Sequence, residues 1–148
     1  MSREVQLYLG DALGKYGFPD GHPWGPDRQD AFWAEALRQK LPGRVEMREP
    51  RIAKREEIER FHKHEHVERV RALSEAGVGS IDYGDTPAFP GVYDASANVV
   101  GAALDGLAQV MGGACLRTFQ PIGGLHHARR AAAAGFCVFN DYDEVIDT

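Results

Sequence analysis

Two adjacent histidines, His126 and His127, follow two glycines and precede a Gly-Phe-Cys in the run GGLHHARRAAAAGFCVFND, residues 123–141. Neighbouring residues of a strand point to opposite faces, so both imidazoles reach one site only where the backbone leaves the strand. Gly123 and Gly124 permit that departure. Two imidazoles side by side can divide proton work: one accepts a proton from water while the other stays charged or delivers one. For a bare His-His pair, a turn carrying surface histidines, or one buried ring and one exposed, is the better explanation. The flanking GGL and GFC favour chemistry. Gly135 lets a ligand approach the backbone, and Phe136 offers a flat wall to an alkyl chain. Cys137 has two readings, an inert buried thiol between Phe and Val or a nucleophile paired with a histidine; the inert reading is preferred.

Other residue types with chemical potential have plainer explanations. His62, His64 and His66 form an HxHxH, and His62 and His66 stand i,i+4, a spacing able to hold zinc on a helix. No further ligand stands close in sequence, so they read as polar residues at a helix start. Asp20-Gly21-His22 has an Asp-x-His spacing but lies between Pro19 and Pro23, where turn chemistry accounts for it. Asp85, in YGDTPAFPG, is either an Asx-turn residue or a carboxylate at a pocket rim, and the sequence leaves both open.

These residues need elements to position them. VQLYLG (5–10), RVEMRE (44–49) and LRTFQPI (116–122) read as strands. Residues 14–27 hold four glycines and three prolines and read as a long loop. A helix is predicted from Asp27, as N-cap, to the Pro42-Gly43 stop, with Phe32, Trp33, Ala36 and Leu37 on its apolar face. Residues 54–76 read as helix broken near His62, and residues 79–91 as loop. The clearest helix begins near Pro90; Val100, Leu104, Leu107 and Met111 form its stripe, and Gly112-Gly113 ends it. DEVIDT (143–148) reads as a helix start. Strands alternating with helices predict an α/β fold with a mostly parallel sheet, whose functional groups gather on loops past the strands' carboxyl ends.

Composition narrows the function classes. The 148 residues are 43% hydrophobic and 26% charged, in the range of a globular domain. Net charge is −5, and Arg51, Lys54, Arg55 and Arg60 are interleaved with Glu56, Glu57 and Glu59, which predicts a solvated face and no nucleic-acid partner. Two cysteines without a CxxC argue against a disulfide framework and for a reducing compartment. Residues 1–14 show no leader pattern and no segment reads as membrane-spanning, so a cytoplasmic location is expected.

Taken together, GGLHHARRAAAAGFCVFND resembles the signature of the zinc-dependent histone deacetylase superfamily, which includes acetoin-utilisation-type deacetylases and acetylpolyamine amidohydrolases. GHPWGPDR (21–28), FHKHEHVERV (61–70) and YGDTPAFPG (83–91) occur in the family's order. The resemblance implies that His126 and His127 are general base and general acid or electrostatic partner. It implies that the Gly135 carbonyl accepts from the substrate amide, that Phe136 walls an acyl-lysine tunnel, and that Cys137 lies beside the site without attacking. It further assigns Asp85 to a rim that holds the substrate backbone and Arg28 to an internal channel beneath the site. The substrate would be an acetylated lysine or acetylated small amine, and Zn²⁺ would polarise its carbonyl.

His64 and His66 depart from the family's pattern. The family's zinc ligands, an Asp-x-His and a later Asp, have no counterparts assignable here, so residues 1–148 are expected to form the N-terminal part of one deacetylase-type domain. That implies a partial three-layer α/β/α sandwich lacking later strands, no metal held by this chain alone, no useful turnover, and self-association through the incomplete sheet. The rival expectation is a non-catalytic protein that binds acyl-lysine or a partner chain.

Overall fold

The computed structural model describes residues 4–148. Residues 1–3, part of the stretch read as lacking a leader, lie outside the described residues. Strand β1 (Val5–Tyr8) is the centre of a three-stranded sheet ordered β2-β1-β3, with β2 Glu46–Arg48 and β3 Arg117–Phe119. Both pairings are parallel; Leu7 stands opposite Met47 on one side and Phe119 on the other. The helices are α1 (Asp11–Gly14), α2 (Arg28–Arg38), α3 (Arg55–Ile58), α4 (His64–Ala76), α5 (Val92–Met111) and α6 (Asp141–Ile146), with a 3-10 turn at Leu41–Arg44.

Alternation along the strands sorts the helices into layers. Tyr8 points to the α5 side, where its hydroxyl bonds Asp105, and Thr118 lies against Gly106 of the same helix. Phe119 points to the other side and packs its ring on Phe32 of α2, centroids 5.6 Å apart. The sheet therefore lies between α2 and α5, an α/β fold with a parallel sheet.

The backbone conformations follow local chemistry. Gly77, at φ 72, closes α4 in the left-handed region that favours glycine. Asn140 caps α6 by accepting from Asp143 N–H at 2.9 Å. Within α5, Gly101 lets segment 51–53 cross backbone on backbone. Ala53 N–H donates to the Ala97 carbonyl at 3.0 Å, and a β-carbon at residue 101 would stand 1.8 Å from the Arg51 carbonyl oxygen. Tyr16, Phe18, Val67, Val70, Val99, Val100, Leu125 and Phe139 form the buried core around α5.

Several expectations change. The strands are shorter than read, and α1, unassigned in the sequence, follows β1 after Gly10. Asp27 stands at the N-cap of α2 but its side chain makes no cap bond. That helix ends at Arg38, before the Pro-Gly stop, and Leu37 of its expected apolar face is 53% exposed. The α5 stripe is buried at Val100 and Leu104, yet Met111 is 78% exposed. The break near His62 is present between α3 and α4. The interleaved charges of residues 51–60 do pair, Arg51 with Glu57 at 2.8 Å and Arg55 with Glu59 at 2.9 Å. Among the described residues no helix is long and apolar enough to cross a membrane.

Candidate functional site

The chain leaves β3 and turns through Gly123 and Gly124, the latter at φ 89, before the two histidines. A buried carboxylate fixes this turn: Asp141 accepts from Gly124 N–H at 3.0 Å and from Leu125 N–H at 2.7 Å. Burial pushes the Asp141 carboxyl upward from its ordinary range, and the two backbone N–H bonds partly offset that. The imidazoles of His126 and His127 come together with centroids 4.2 Å apart and planes at 47°. Both residues are exposed. His126 Nδ1 lies 2.9 Å from the Gly124 carbonyl. A carbonyl only accepts, so Nδ1 is the donor of this contact, which leaves Nε2 as the accepting atom of the neutral tautomer.

Residues 134–137 form a tight turn facing His127. Ala134 and Cys137 exchange backbone bonds of 3.1 and 2.9 Å, and the two central residues, Gly135 at φ 53 and Phe136 at φ 69, are both left-handed. Glycine adopts this freely; phenylalanine does so at a cost, and only where the surroundings over-determine it. Here they do. Phe136 N–H donates to Thr86 Oγ1 at 3.1 Å, and its carbonyl accepts from the Tyr16 hydroxyl at 2.5 Å. The Phe136 ring packs edge-on against His22 at 4.5 Å, and His22 stacks on Phe18 at 4.6 Å. His22 is itself pinned: Nδ1 accepts from Trp24 N–H and Nε2 donates to the Asp85 carbonyl, each at 2.9 Å.

A groove of about 310 Å³ joins Asp85 to Gly135, with Asp82, Tyr83, Arg129 and Ala132 also lining it. Asp85, Gly135, Phe136 and His127 are thus brought to one region. Cys137 lies beneath them, buried, with Sγ 3.4 Å from the Gly135 carbonyl, and burial pushes its thiol up. Both cysteines are free. Arg28 is not drawn into the cluster; it is exposed and stacks on Trp24 at 4.2 Å, and Trp24 packs on Tyr16 at 5.8 Å.

The HxHxH motif splits. His64 is at the surface, paired with Glu59 at 2.9 Å. His62 and His66 are buried and stacked at 5.0 Å, which replaces their reading as polar residues at a helix start. His62 Nε2 accepts from Asn140 N–H at 2.9 Å and His66 Nε2 donates to the Val138 carbonyl at 3.0 Å. Burial, then the neighbouring His66, pushes His62 down to about 3, and burial lowers His66 as well. These rings bond the backbone of residues 138–140, just past the Gly135–Phe136 turn. Of the residues that build the site, Tyr16, His22, Thr86 and Asp141 carried no assigned role in the sequence, although His22, Thr86 and Asp141 lie inside the matched motifs.

Comparison with known proteins shows the family. The model of the histone deacetylase domain matches residues 22–146. The chain belongs to that family. An acetoin utilization protein AcuC from Staphylococcus aureus strain MRSA252 is 31% identical over 148 residues, covering 95% of this chain and 38% of that protein. The AcuC of strain MSSA476 is 34% identical over the same shares. The crystal structure of the HDA15 HD domain superposes with a TM-score of 0.87 at 23% identity, over 97% of this chain and 42% of that one. The chain therefore spans well under half the length of these relatives.

Zinc dependence is general for the family, yet the described residues bring together no group of three or more His, Cys, Asp and Glu able to hold a metal ion. The donor set does not fit zinc by itself.

Proposed function

We propose that residues 1–148 supply the proton-transfer pair and one substrate wall of a zinc-dependent deacetylase domain acting on acetylated lysine or acetylated small amines in the cytoplasm. The observation that carries this is the convergence of the two imidazoles, 4.2 Å apart, with His127 facing the Gly135–Phe136 turn. In this reading His126 Nε2 takes the proton of the attacking water. His127 stays charged or delivers a proton to the departing amine. The Gly135 carbonyl receives the substrate amide, Phe136 lines its alkyl stem, and Asp85 at the far end of the groove holds its backbone. Arg28, exposed and stacked on Trp24, takes no part in this reading.

Losing one transition-state stabiliser costs roughly 10²–10³ in rate, so these residues without a bound metal give no useful turnover. The rival reading is a protein that binds acyl-lysine or a partner chain without hydrolysing the acyl group. Titrating the chain with an acetyl-lysine peptide and its unacetylated counterpart, then assaying hydrolysis with added Zn²⁺, tests both. The proposal expects preference for the acetylated peptide, weakened by Phe136→Ala, and background hydrolysis. Equal affinity for the two peptides removes the acyl-lysine role; robust zinc-dependent turnover removes the half-site. The open β3 edge, with Phe119 exposed beside it, supports self-association, which sedimentation at varied concentration measures.

A further inference from the structure

The site's two substrate-facing pieces, the turn carrying Asp85 and the turn carrying Phe136, lie fifty residues apart and meet at one buried hydroxyl. Thr86 is fully buried. A hydroxyl has one proton to give. Thr86 gives it to Asp82 Oδ2 at 2.7 Å, so its lone pair faces the Phe136 N–H at 3.1 Å. The other Asp82 oxygen accepts from Gly84 N–H at 2.9 Å and Thr86 N–H at 2.8 Å, closing the turn around Asp85. A second tie runs through His22, whose Nε2 holds the Asp85 carbonyl while its ring packs on Phe136.

We propose that Thr86 is a positioning residue whose hydroxyl locks the Asp85 turn to the Gly135–Phe136 turn, so that the substrate's backbone contact and its tunnel wall keep a fixed spacing. This rests on the reading of Asp85 and Phe136 given above. The chemistry requires an oxygen at this position. Valine has the same shape but leaves a buried N–H without an acceptor and Asp82 Oδ2 without its donor. Serine keeps both bonds. Phe136 is the residue most sensitive to such a loss, because its left-handed backbone survives only while both its N–H and its carbonyl are held.

The experiment compares wild type, Thr86→Ser and Thr86→Val by amide hydrogen exchange, then by titration with an acetyl-lysine peptide. The Phe136 and Gly84 amides are expected to exchange about tenfold faster in Thr86→Val and unchanged in Thr86→Ser, while the Val99 and Val100 amides of α5 match in all three. Peptide affinity is expected to fall about tenfold in Thr86→Val and to be rescued in Thr86→Ser. Unaltered Phe136 exchange in folded Thr86→Val overturns the proposal. If that variant does not fold, Thr86→Ala replaces it: it removes the same hydroxyl without adding a branched apolar group, so the Phe136 N–H again loses its acceptor and unaltered Phe136 exchange there overturns the proposal equally. Exchange that follows the hydroxyl while no form binds peptide supports the lock and instead removes the reading of Asp85 and Phe136 as substrate contacts.

Discussion

The side chain of His127 lies directly over the α-carbon of Gly135. A β-carbon at residue 135 would stand 3.0 Å from Cδ2 of the imidazole and 3.1 Å from its Cγ and Cβ. The glycine therefore admits the backbone turn, at φ 53, and leaves room for the ring where it lies. Gly135→Ala pays twice, about 1–2 kcal/mol for a left-handed alanine and more for displacing the imidazole. Denaturant unfolding should show a loss of roughly 1–3 kcal/mol. The His127 ring resonances should move more than those of His126. A variant with an unshifted His127 ring would show that the contact does not position it.

Cys137 sits next to this turn, and its environment opposes nucleophilic chemistry. The residue is 2% exposed, its sulfur lies against the Gly135 carbonyl, and burial pushes the thiol up. At neutral pH it stays protonated, and the thiolate is the reactive form. Alkylation of folded protein by iodoacetamide should therefore run at least about tenfold slower at Cys137 than in the denatured chain. Peptide mapping of the modified cysteines reads this directly; rapid labelling of Cys137 in the native state would reinstate it as a nucleophile.

Much of the scaffold was legible because its signals are local. The four-three-four spacing along α5 and the glycines that end α4 and α5 are written in adjacent turns, and GGLHH and GFC announce both halves of the site. What escaped depends on distant partners. Thr86 and Tyr16 grip Phe136 from 50 and 120 residues away. Asn140 and Val138, 78 and 72 residues on, each bond the Nε2 of one buried ring, His62 and His66. No periodicity of α4 could reveal that. Met111 and Leu37 continue apolar faces that nothing described covers, so periodicity identified the helices but not the extent of their burial.

The buried histidine pair gives stability an acid dependence. His62 titrates near 6.5 in an unfolded chain and is pushed down to about 3 in the fold. Between those values the unfolded state binds a proton that the native state refuses, so stability is complete above pH 6.5 and is lost as pH falls toward 3. His66 is lowered too and adds in the same direction. The expected loss is on the order of a few kcal/mol across the window. Proton NMR should show a His62 ring that does not titrate between pH 7 and about 5 while the protein remains folded. A native titration near 6.5 would contradict the burial assigned to it.

Glu144 works in the opposite direction. It is fully buried in α6, and among the described residues neither carboxylate oxygen has a hydrogen-bond partner. Burial first, then nearby Asp147, pushes it up to about 8, with Arg60 offsetting part of the rise. Between 4.5 and 8 the unfolded chain has released a proton that the native state retains, so this group's contribution is intact below pH 4.5 and is lost as pH rises through 8. Glutamine has the same shape and no proton to lose. Glu144→Gln should therefore match wild type near pH 4.5 and exceed it at pH 8 by on the order of 1–3 kcal/mol, read from denaturant midpoints at the two values. Because the histidines lose stability on the acid side and Glu144 on the alkaline side, the variant should also move the pH of maximum stability upward. Equal midpoints for variant and wild type at pH 8 would mean that the carboxylate is already compensated there by a neighbouring cation, for which Arg60 and Arg130, the basic groups that offset its rise, are the candidates.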